Sequence, residues 1–169
     1  LMIGGKIQNY RNILRRYIRD YGENENINRA VQVLEHAKRE ALATQDKTTL
    51  IGYEGMASNA YFEVLPVLIL NQKADFPFHG RNRRPPKDAV NAMLSFAYTL
   101  IANDTSAALE TVGLDPYVGF LHTLRPGRTS LALDMMEELR AYLGDRFVLS
   151  LINKRQITSK DFLFQDDNA

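Results

Sequence analysis

Three polar positions in this sequence carry residue types that bind divalent cations, and the first is Glu54. It shares one helical stripe with apolar residues, at the spacing of Leu50, Ala57, Tyr61, Val64 and Leu68. An ionised carboxylate buried alone on such a face is strongly unfavourable, so it needs a cation, hydrogen-bond donors or a proton. Periodicity leaves two interpretations open: a metal ligand, or the partner of an arginine from elsewhere in the chain.

The second position is His122, one of three histidines. It follows Phe120 and Leu121 at the predicted apolar end of a helix, and a histidine there is more often a core residue than a ligand. Of the other two, His36 is predicted to be solvated, and His79 lies in an arginine-rich loop where it could contact a phosphate.

The third position is the acidic run 134–138. The predicted core stripe of its helix is Ala132, Met135, Met136, Leu139 and Leu143. Asp134 is expected to point away from that stripe, and Glu137 and Glu138 flank it on opposite sides. Acids early in a helix also suit its dipole, so a solvated face is the alternative, and periodicity does not choose among the three acids.

Together, two carboxylates and an imidazole from three helices would suit Mg²⁺ or Mn²⁺, with positions left for water and a phosphate oxygen. Such an ion can polarise a phosphodiester and activate a bound nucleophile. The sequence has no cysteine, which excludes thiolate metal sites and cysteine nucleophiles, and no His-Asp dipeptide, which excludes the helical phosphohydrolases built on that pair. It also has no glycine-rich phosphate loop and no serine-nucleophile elbow.

Arginines cluster at two places and predict contacts with DNA phosphates. Arg81, Arg83 and Arg84 share one proline-flanked loop, and Arg125 and Arg128 stand on either side of a Pro-Gly pair just after His122. A solvated loop is the alternative. Because the formal net charge is only +1, any nucleic-acid binding must come from such local clusters and not from the bulk charge.

The elements that carry these side chains follow helical patterns with almost no strand alternation, so periodicity predicts an all-α fold of about seven helices in one domain over 1–164, with 165–169 as a disordered tail. The longest apolar run, 64–70, is far shorter than the roughly 20 residues of a membrane span. The lack of cysteine is compatible with a cytoplasmic protein. The predicted helices cover 5–21, a segment ending near 43 with Asn26 or Asn28 as cap, 47–65 with Asp46 or Thr48 as cap, 86–102, 105–112, 115 to just before 126, and 130–143 stopped by Gly144.

Several segments resemble, strongly, the catalytic domain of the CRISPR-associated spacer-acquisition endonuclease/integrase, the first of the Cas proteins, and look most like its subtype I-C branch. The segments read EGMA and YF in 54–62, GRNRRPP in 80–86, VNAMLSFAY in 90–98, GLDP and FLH in 113–122, RPGR in 125–128 and SLALDMMEE in 130–138. The opening GKIQN in 5–9 is also similar, so the likeness covers nearly the whole chain.

The resemblance implies that Glu54, His122 and Glu137 bind Mg²⁺ or Mn²⁺, with Asp134 as a nearby supporting acid. It also implies a DNA endonuclease and integrase that joins prespacer 3′-hydroxyls into a repeat array. Such a protein would act as a homodimer with a small second CRISPR adaptation protein and without a membrane.

Two departures from the family's pattern qualify this expectation. The N-terminal β-domain of the family is missing, which predicts that the chain is the catalytic half. His79 and Thr129 stand where Asn and Pro are expected, and neither is an implied ligand. The rival hypothesis is a non-catalytic helical DNA-binding or scaffolding module that uses the same arginines.

Overall fold

The computed structural model describes residues 1–83, 85–123 and 125–163, and every regular element within these ranges is helical. The all-α prediction is therefore confirmed, although the described residues form five continuous helices and not the predicted seven, since the last two α-helices are joined without a break. Arg84 and the predicted tail 165–169 lie outside the described residues. The helices are α1 (Met2–Tyr21), α2 (Glu25–Ala43), α3 (Lys47–Leu68), α4 (Ala89–Thr111), α5 (Ser130–Leu139) and α6 (Arg146–Asn153), with a π-helical segment at Arg140–Asp145 joining the last two and a 3-10 turn at Ser159–Asp161.

Short polar loops connect the first three helices, so that α2 packs against both α1 and α3. The side chain of Asn24 caps α2 by accepting hydrogen bonds from two N–H groups of its first turn. The predicted caps Asn26 and Asn28 are therefore wrong by a few residues. Of the two predicted caps of α3, Asp46 and Thr48, it is Asp46 that accepts from the N–H of Thr49, at 2.7 Å.

One apolar core fixes α1, α3 and α5 relative to one another. Ile7 and Leu14 of α1 and Leu65 of α3 are almost completely buried, and the ring of Tyr10 stacks on that of Tyr61 with 4.0 Å between centroids. Each large side chain buried in this way contributes about 1.5–3 kcal/mol to folding. The three helices that carry the site are thus held in a fixed arrangement by packing that does not involve the site itself.

The fourth helix is longer than predicted because the expected break near 103 does not occur. Asp88 caps it by accepting from the N–H of Asn91 at 2.7 Å, so it begins after the proline pair and not at Pro86. The hydroxyl of Thr105 donates to the carbonyl of Ile101 at 2.7 Å, which keeps this polar residue inside the helix. The two predicted helices 86–102 and 105–112 are therefore one element.

The helix predicted to begin at Asp115 is wrong, since the described residues between α4 and α5 form turns and bends. The N–H groups of Phe120, Leu121 and His122 donate to the carboxylate of Asp134, not to carbonyls four residues earlier. A side chain from α5 thus replaces the hydrogen bonds that a helix would need.

Gly144 was predicted to end the last helix, and this is also wrong. It lies inside the π-helical segment, where an added Cβ would be 2.8 Å from a ring carbon of Tyr98. The missing side chain therefore allows close packing against α4 and not termination. The wider π-helical turn carries Asp145 into the core before α6 continues.

None of the helices in the described ranges combines the length and the hydrophobicity that a membrane span requires.

Candidate metal centre

Two carboxylates from different helices meet at a single buried ammonium group. The Nζ atom of Lys6, on α1, lies 2.7 Å from Oε2 of Glu137, on α5, and also contacts Oε1 of Glu54, on α3. The side chains of Lys6 and Glu137 are 3% and 5% exposed, and that of Glu54 is 25% exposed. The hydroxyl of Ser58 donates to the same oxygen of Glu54 at 2.8 Å. Glu54 therefore has a cationic partner, which is a lysine and not the arginine considered in the alternative interpretation.

The charges in this cluster keep the ammonium of Lys6 and the carboxylate of Glu54 ionised. Burial by itself lowers the pKa of Lys6, but the groups around it, Tyr10, Glu137 and Glu54, outweigh burial and raise this pKa above its ordinary value. Burial raises the pKa of Glu54, but the charge and hydrogen bond of Lys6 and the hydrogen bond of Ser58 outweigh it, so the net shift is downward. Lys6 and Glu54 are thus both held in their charged forms.

Glu137 links this cluster to the predicted histidine. Its Oε1 atom is 3.2 Å from an Nη atom of Arg140 and 3.8 Å from Nε2 of His122. The structure therefore brings together Glu54, Glu137 and His122 around the Lys6–Glu137 contact. Glu138, its neighbour in sequence, is exposed.

Asp134 lies behind the histidine and fixes its ring. Its side chain is fully buried, and Oδ1 lies 2.6 Å from Nδ1 of His122. With the proton on Nδ1, which a carboxylate acceptor favours, the lone pair of Nε2 faces Glu137. Burial raises the pKa of Asp134, but hydrogen bonds from the backbone N–H of Leu121, the ring of His122 and further backbone groups lower it below its usual value. The carboxylate is therefore charged, and its Oδ1 atom positions His122 while Oδ2 accepts from the backbone of the loop.

A glycine makes this arrangement possible. A Cβ at Gly119 would lie 2.6 Å from the backbone carbon of Ser130 and 2.8 Å from Oδ2 of Asp134. Only a residue without a side chain lets this loop approach the first turn of α5 so closely. The loop can then direct three successive N–H groups at the carboxylate of Asp134.

The predicted core stripe of α5 is wrong in part, and with it the predicted direction of Asp134. Met135, Leu139 and Leu143 are exposed, whereas Asp134 and Glu137 are buried. Polar atoms of the loop and of Lys6 stabilise this inward face, so hydrophobicity did not reveal it. Lys6 was missed for a related reason, although its place beside Ile7 and Tyr10 on the buried face of α1 was a usable signal.

A second layer of buried polar groups lies beneath the cluster. The hydroxyl of Tyr98 donates to Oδ1 of Asp145, and the guanidinium of Arg140 lies over the ring of Tyr98, 5.0 Å from its centroid. Complete burial raises the pKa of Asp145 to about 6, against the hydrogen bond from Tyr98, the nearby hydroxyl of Tyr61 and the charge of Arg140. Arg140 thus connects this layer to Glu137.

From the raised pKa of Asp145 we expect its contribution to the free energy of unfolding to decrease as the pH rises. Because its folded pKa of about 6 lies above the ordinary value of 3.8, the folded state binds this proton more tightly than the unfolded state. Its contribution to stability is therefore fully present below pH 3.8 and is lost as the pH rises through about 6. Asp145→Asn, which stays neutral, should exceed the wild type in free energy of unfolding by about 3 kcal/mol at pH 8, with the difference vanishing near pH 4.

Urea unfolding at pH 4, 6 and 8 checks this, with the exposed Asp104→Asn on α4 as the matched control. A variant of Asp145 that is less stable than the wild type at all three values would show that the ionised carboxylate stabilises the fold.

The predicted DNA-contacting arginines have different environments. Arg81 is half-buried, and its Nη atoms donate to Oδ1 of Asn91 at 2.8 Å and to the hydroxyl of Ser95 at 3.1 Å. Arg83 and Arg125 are exposed, and Arg128 is half-buried. Arg81 is therefore engaged in holding its loop to α4, and among the described members of the set Arg83 and Arg125 are the most accessible to a phosphate.

The donor set fits a divalent cation, although not in the arrangement seen. Among residues 1–83, 85–123 and 125–163, no group of three or more His, Asp or Glu side chains is placed to hold a metal ion as it stands. The ammonium of Lys6, however, already occupies a position that two carboxylates share, with Nε2 of His122 near one of them. Carboxylate oxygens and one imidazole nitrogen are ligands that suit Mn²⁺ and Mg²⁺.

Fold and site together define the class of protein: an all-helical domain in which two acids converge on the ammonium of Lys6 and a carboxylate-oriented histidine lies beside one of them. The family described as CRISPR associated protein Cas1 matches residues 1–169. This chain therefore belongs to the Cas1 family.

Known relatives and solved structures agree with this membership. The CRISPR-associated endonuclease Cas1 1 of Chlorobaculum tepidum is 49% identical over 172 residues, which cover 100% of this chain and 50% of that protein. The chain thus spans half the length of this relative. In a Cas6-RT-Cas1–Cas2 complex, one chain superposes with a TM-score of 0.84 and 28% identity, over 99% of this chain and 18% of that one. A casposase bound to an integration product gives a TM-score of 0.77 and 27% identity, over 98% and 45%.

Proposed function

We propose that this chain is the catalytic domain of a metal-dependent DNA endonuclease and integrase, with Glu54, His122 and Glu137 as ligands of Mg²⁺ or Mn²⁺. The observation that carries the proposal is the convergence of Glu54 and Glu137 on one cation, with Nε2 of His122 3.8 Å from Glu137. The name endonuclease, which relatives at 49% identity carry, supports the same reaction class.

The residues of this chain have distinct tasks in that reaction. Glu54 and Glu137 supply negative charge from two helices, and Asp134 holds the ring of His122 so that Nε2 faces the same space. Bound there, the divalent cation would supply charge that stabilises the pentacoordinate phosphate and favours deprotonation of the attacking hydroxyl. Arg83, Arg125 and Arg128, with Arg84, would bind the DNA backbone on either side of the scissile phosphate.

The names of the structural neighbours support a finer biological assignment. The structural neighbours include a Cas6-RT-Cas1–Cas2 complex and a casposase bound to integration product. We therefore extend the proposal to spacer acquisition in the cytoplasm, where a subtype I-C homodimer with the small second adaptation protein joins 3′-hydroxyls into a repeat array. In that assembly this chain would be the C-terminal catalytic part.

The decisive experiment measures cleavage of end-labelled duplex and branched DNA by the purified protein, with Mn²⁺ and with EDTA. We expect cleavage only with Mn²⁺, a Mn²⁺-dependent rise in melting temperature, and DNA binding that weakens steeply as salt increases. His122→Ala should remove cleavage, and His36→Ala, at an exposed histidine on α2, is the matched control. Salt-sensitive DNA binding without metal-dependent cleavage or thermal shift would favour the non-catalytic DNA-binding module.

A further inference from the structure

The cation between the two candidate ligands, Glu54 and Glu137, is the ammonium group of Lys6. Lys6 is almost completely buried, and its ammonium contacts Glu54 and Glu137 from a third helix. Removing an ammonium from water is unfavourable unless nearby charges compensate, and here two carboxylates do so. Lys6 is therefore held in place by the same oxygens that the proposed function assigns to a divalent cation.

Charge balance argues that the ammonium and a divalent ion cannot share this place. Lys6 and Arg140 carry two positive charges, and Glu54, Glu137 and the adjacent Asp134 carry three negative charges, so these five residues have a net charge of −1. Adding a divalent cation without moving Lys6 would leave an excess of one positive charge in a largely buried space, where like charges repel strongly. Releasing Lys6 from both acids would remove that excess and free two carboxylate oxygens.

We propose that Lys6 is the resident counter-ion of this centre, a positioning residue that a divalent cation must displace from Glu54 and Glu137. This inference rests on the proposed function, because it takes those acids as metal ligands. In the metal-free protein Lys6 holds both carboxylates at one point through direct contacts. It also lowers the affinity for metal, since binding requires its release. An alternative, in which Lys6 is a permanent part of the core, predicts no competition with metal.

Lys6→Met tests the proposal, since it keeps an unbranched apolar stem and removes the charge. Without metal, the variant should melt at a lower temperature than the wild type, because two buried acids lose their shared cation. Mn²⁺ should nevertheless bind about tenfold more tightly by isothermal titration calorimetry, and should raise the melting temperature by more than in the wild type. Lys38→Met is the matched control: this half-buried lysine on α2 hydrogen-bonds to Gln8 at 2.7 Å, and its loss should leave Mn²⁺ affinity unchanged.

A second measurement on the wild type applies even if Lys6→Met does not fold. Acetylation of lysines followed by mass spectrometry should show Lys6 protected without metal and several times more reactive at saturating Mn²⁺, relative to Lys38 as internal reference. Mn²⁺ affinity in Lys6→Met that equals or falls below the wild-type value overturns the proposal, and so does protection of Lys6 that persists at saturating Mn²⁺.

A separate variant, Glu54→Gln, tests whether the assignment of the metal ligands is itself wrong. If Glu54→Gln leaves the Mn²⁺ affinity of the otherwise unchanged protein as it was, Glu54 is not a ligand and the proposed function fails, whatever Lys6 does. If Glu54→Gln weakens Mn²⁺ binding and Lys6→Met does not tighten it, the metal centre stands and only the competition is wrong.

Discussion

Glu137→Gln is expected to lower Mn²⁺-dependent DNA cleavage by about a thousandfold, the rate equivalent of several kcal/mol of lost transition-state stabilisation. Glu137 is the residue through which the cluster is connected: its carboxylate contacts Lys6 at 2.7 Å and Arg140 at 3.2 Å, and lies 3.8 Å from His122. Glutamine keeps the shape of the side chain but removes its charge, so the attraction for a divalent cation falls while packing is retained. Cleavage rates of labelled DNA at saturating Mn²⁺ measure the effect.

Glu138→Gln is the matched control, because it makes the same chemical change one residue away on the exposed side of α5. Its cleavage rate should stay within about twofold of the wild type, as for other exposed substitutions. Melting temperatures of both variants show whether a lost rate reflects chemistry or unfolding. Equal losses in the two variants, or full activity in Glu137→Gln, would remove Glu137 from the centre.

The fold was predictable from the sequence wherever burial is mainly apolar. On α3 the apolar stripe identified the buried face, and Asp46 was one of the two predicted caps because capping needs only a side-chain oxygen at a fixed offset. The predictions failed where tertiary contacts replace local ones. The loop before α5 gives its N–H groups to Asp134, and Gly144 continues a helix because it packs against Tyr98.

The sequence predicted only part of the candidate site, and each residue was found or missed for its own physical reason. Glu54 was noticeable because an acid interrupts an apolar stripe. Periodicity left Glu137 and Glu138 equivalent, and only the family resemblance preferred the former, which the structure places in the buried cluster. Lys6 could not be assigned as a partner, because a contact between residues 6 and 137 depends on how α1 and α5 pack, and no local pattern records it.

The Asp134 carboxylate is expected to show a large effect on stability, since it accepts more hydrogen bonds than any other side chain near the site. Backbone N–H groups of Phe120, Leu121 and His122 donate to it at 2.7, 2.8 and 2.9 Å, and the ring of His122 lies at 2.6 Å. Asp134→Ala leaves these donors without their acceptor, and water can reach only part of the loop. The free energy of unfolding should fall by about 3–5 kcal/mol, measured by urea denaturation at pH 7.

The same substitution should also weaken Mn²⁺ binding by about 10–100-fold, because the ring of His122 loses the group that orients it. Asp134→Asn separates the two effects. It retains a side-chain oxygen for the backbone donors, so it should recover part of the stability. Its neutral amide cannot replace a carboxylate as the partner of Nδ1, so the loss of Mn²⁺ affinity should persist.

Asp104→Ala, at an exposed position on α4, controls for loss of an aspartate and should change stability by less than about 0.5 kcal/mol. If Asp134→Ala unfolds at the wild-type urea concentration, the loop is held by other contacts, and Asp134 does not position the histidine.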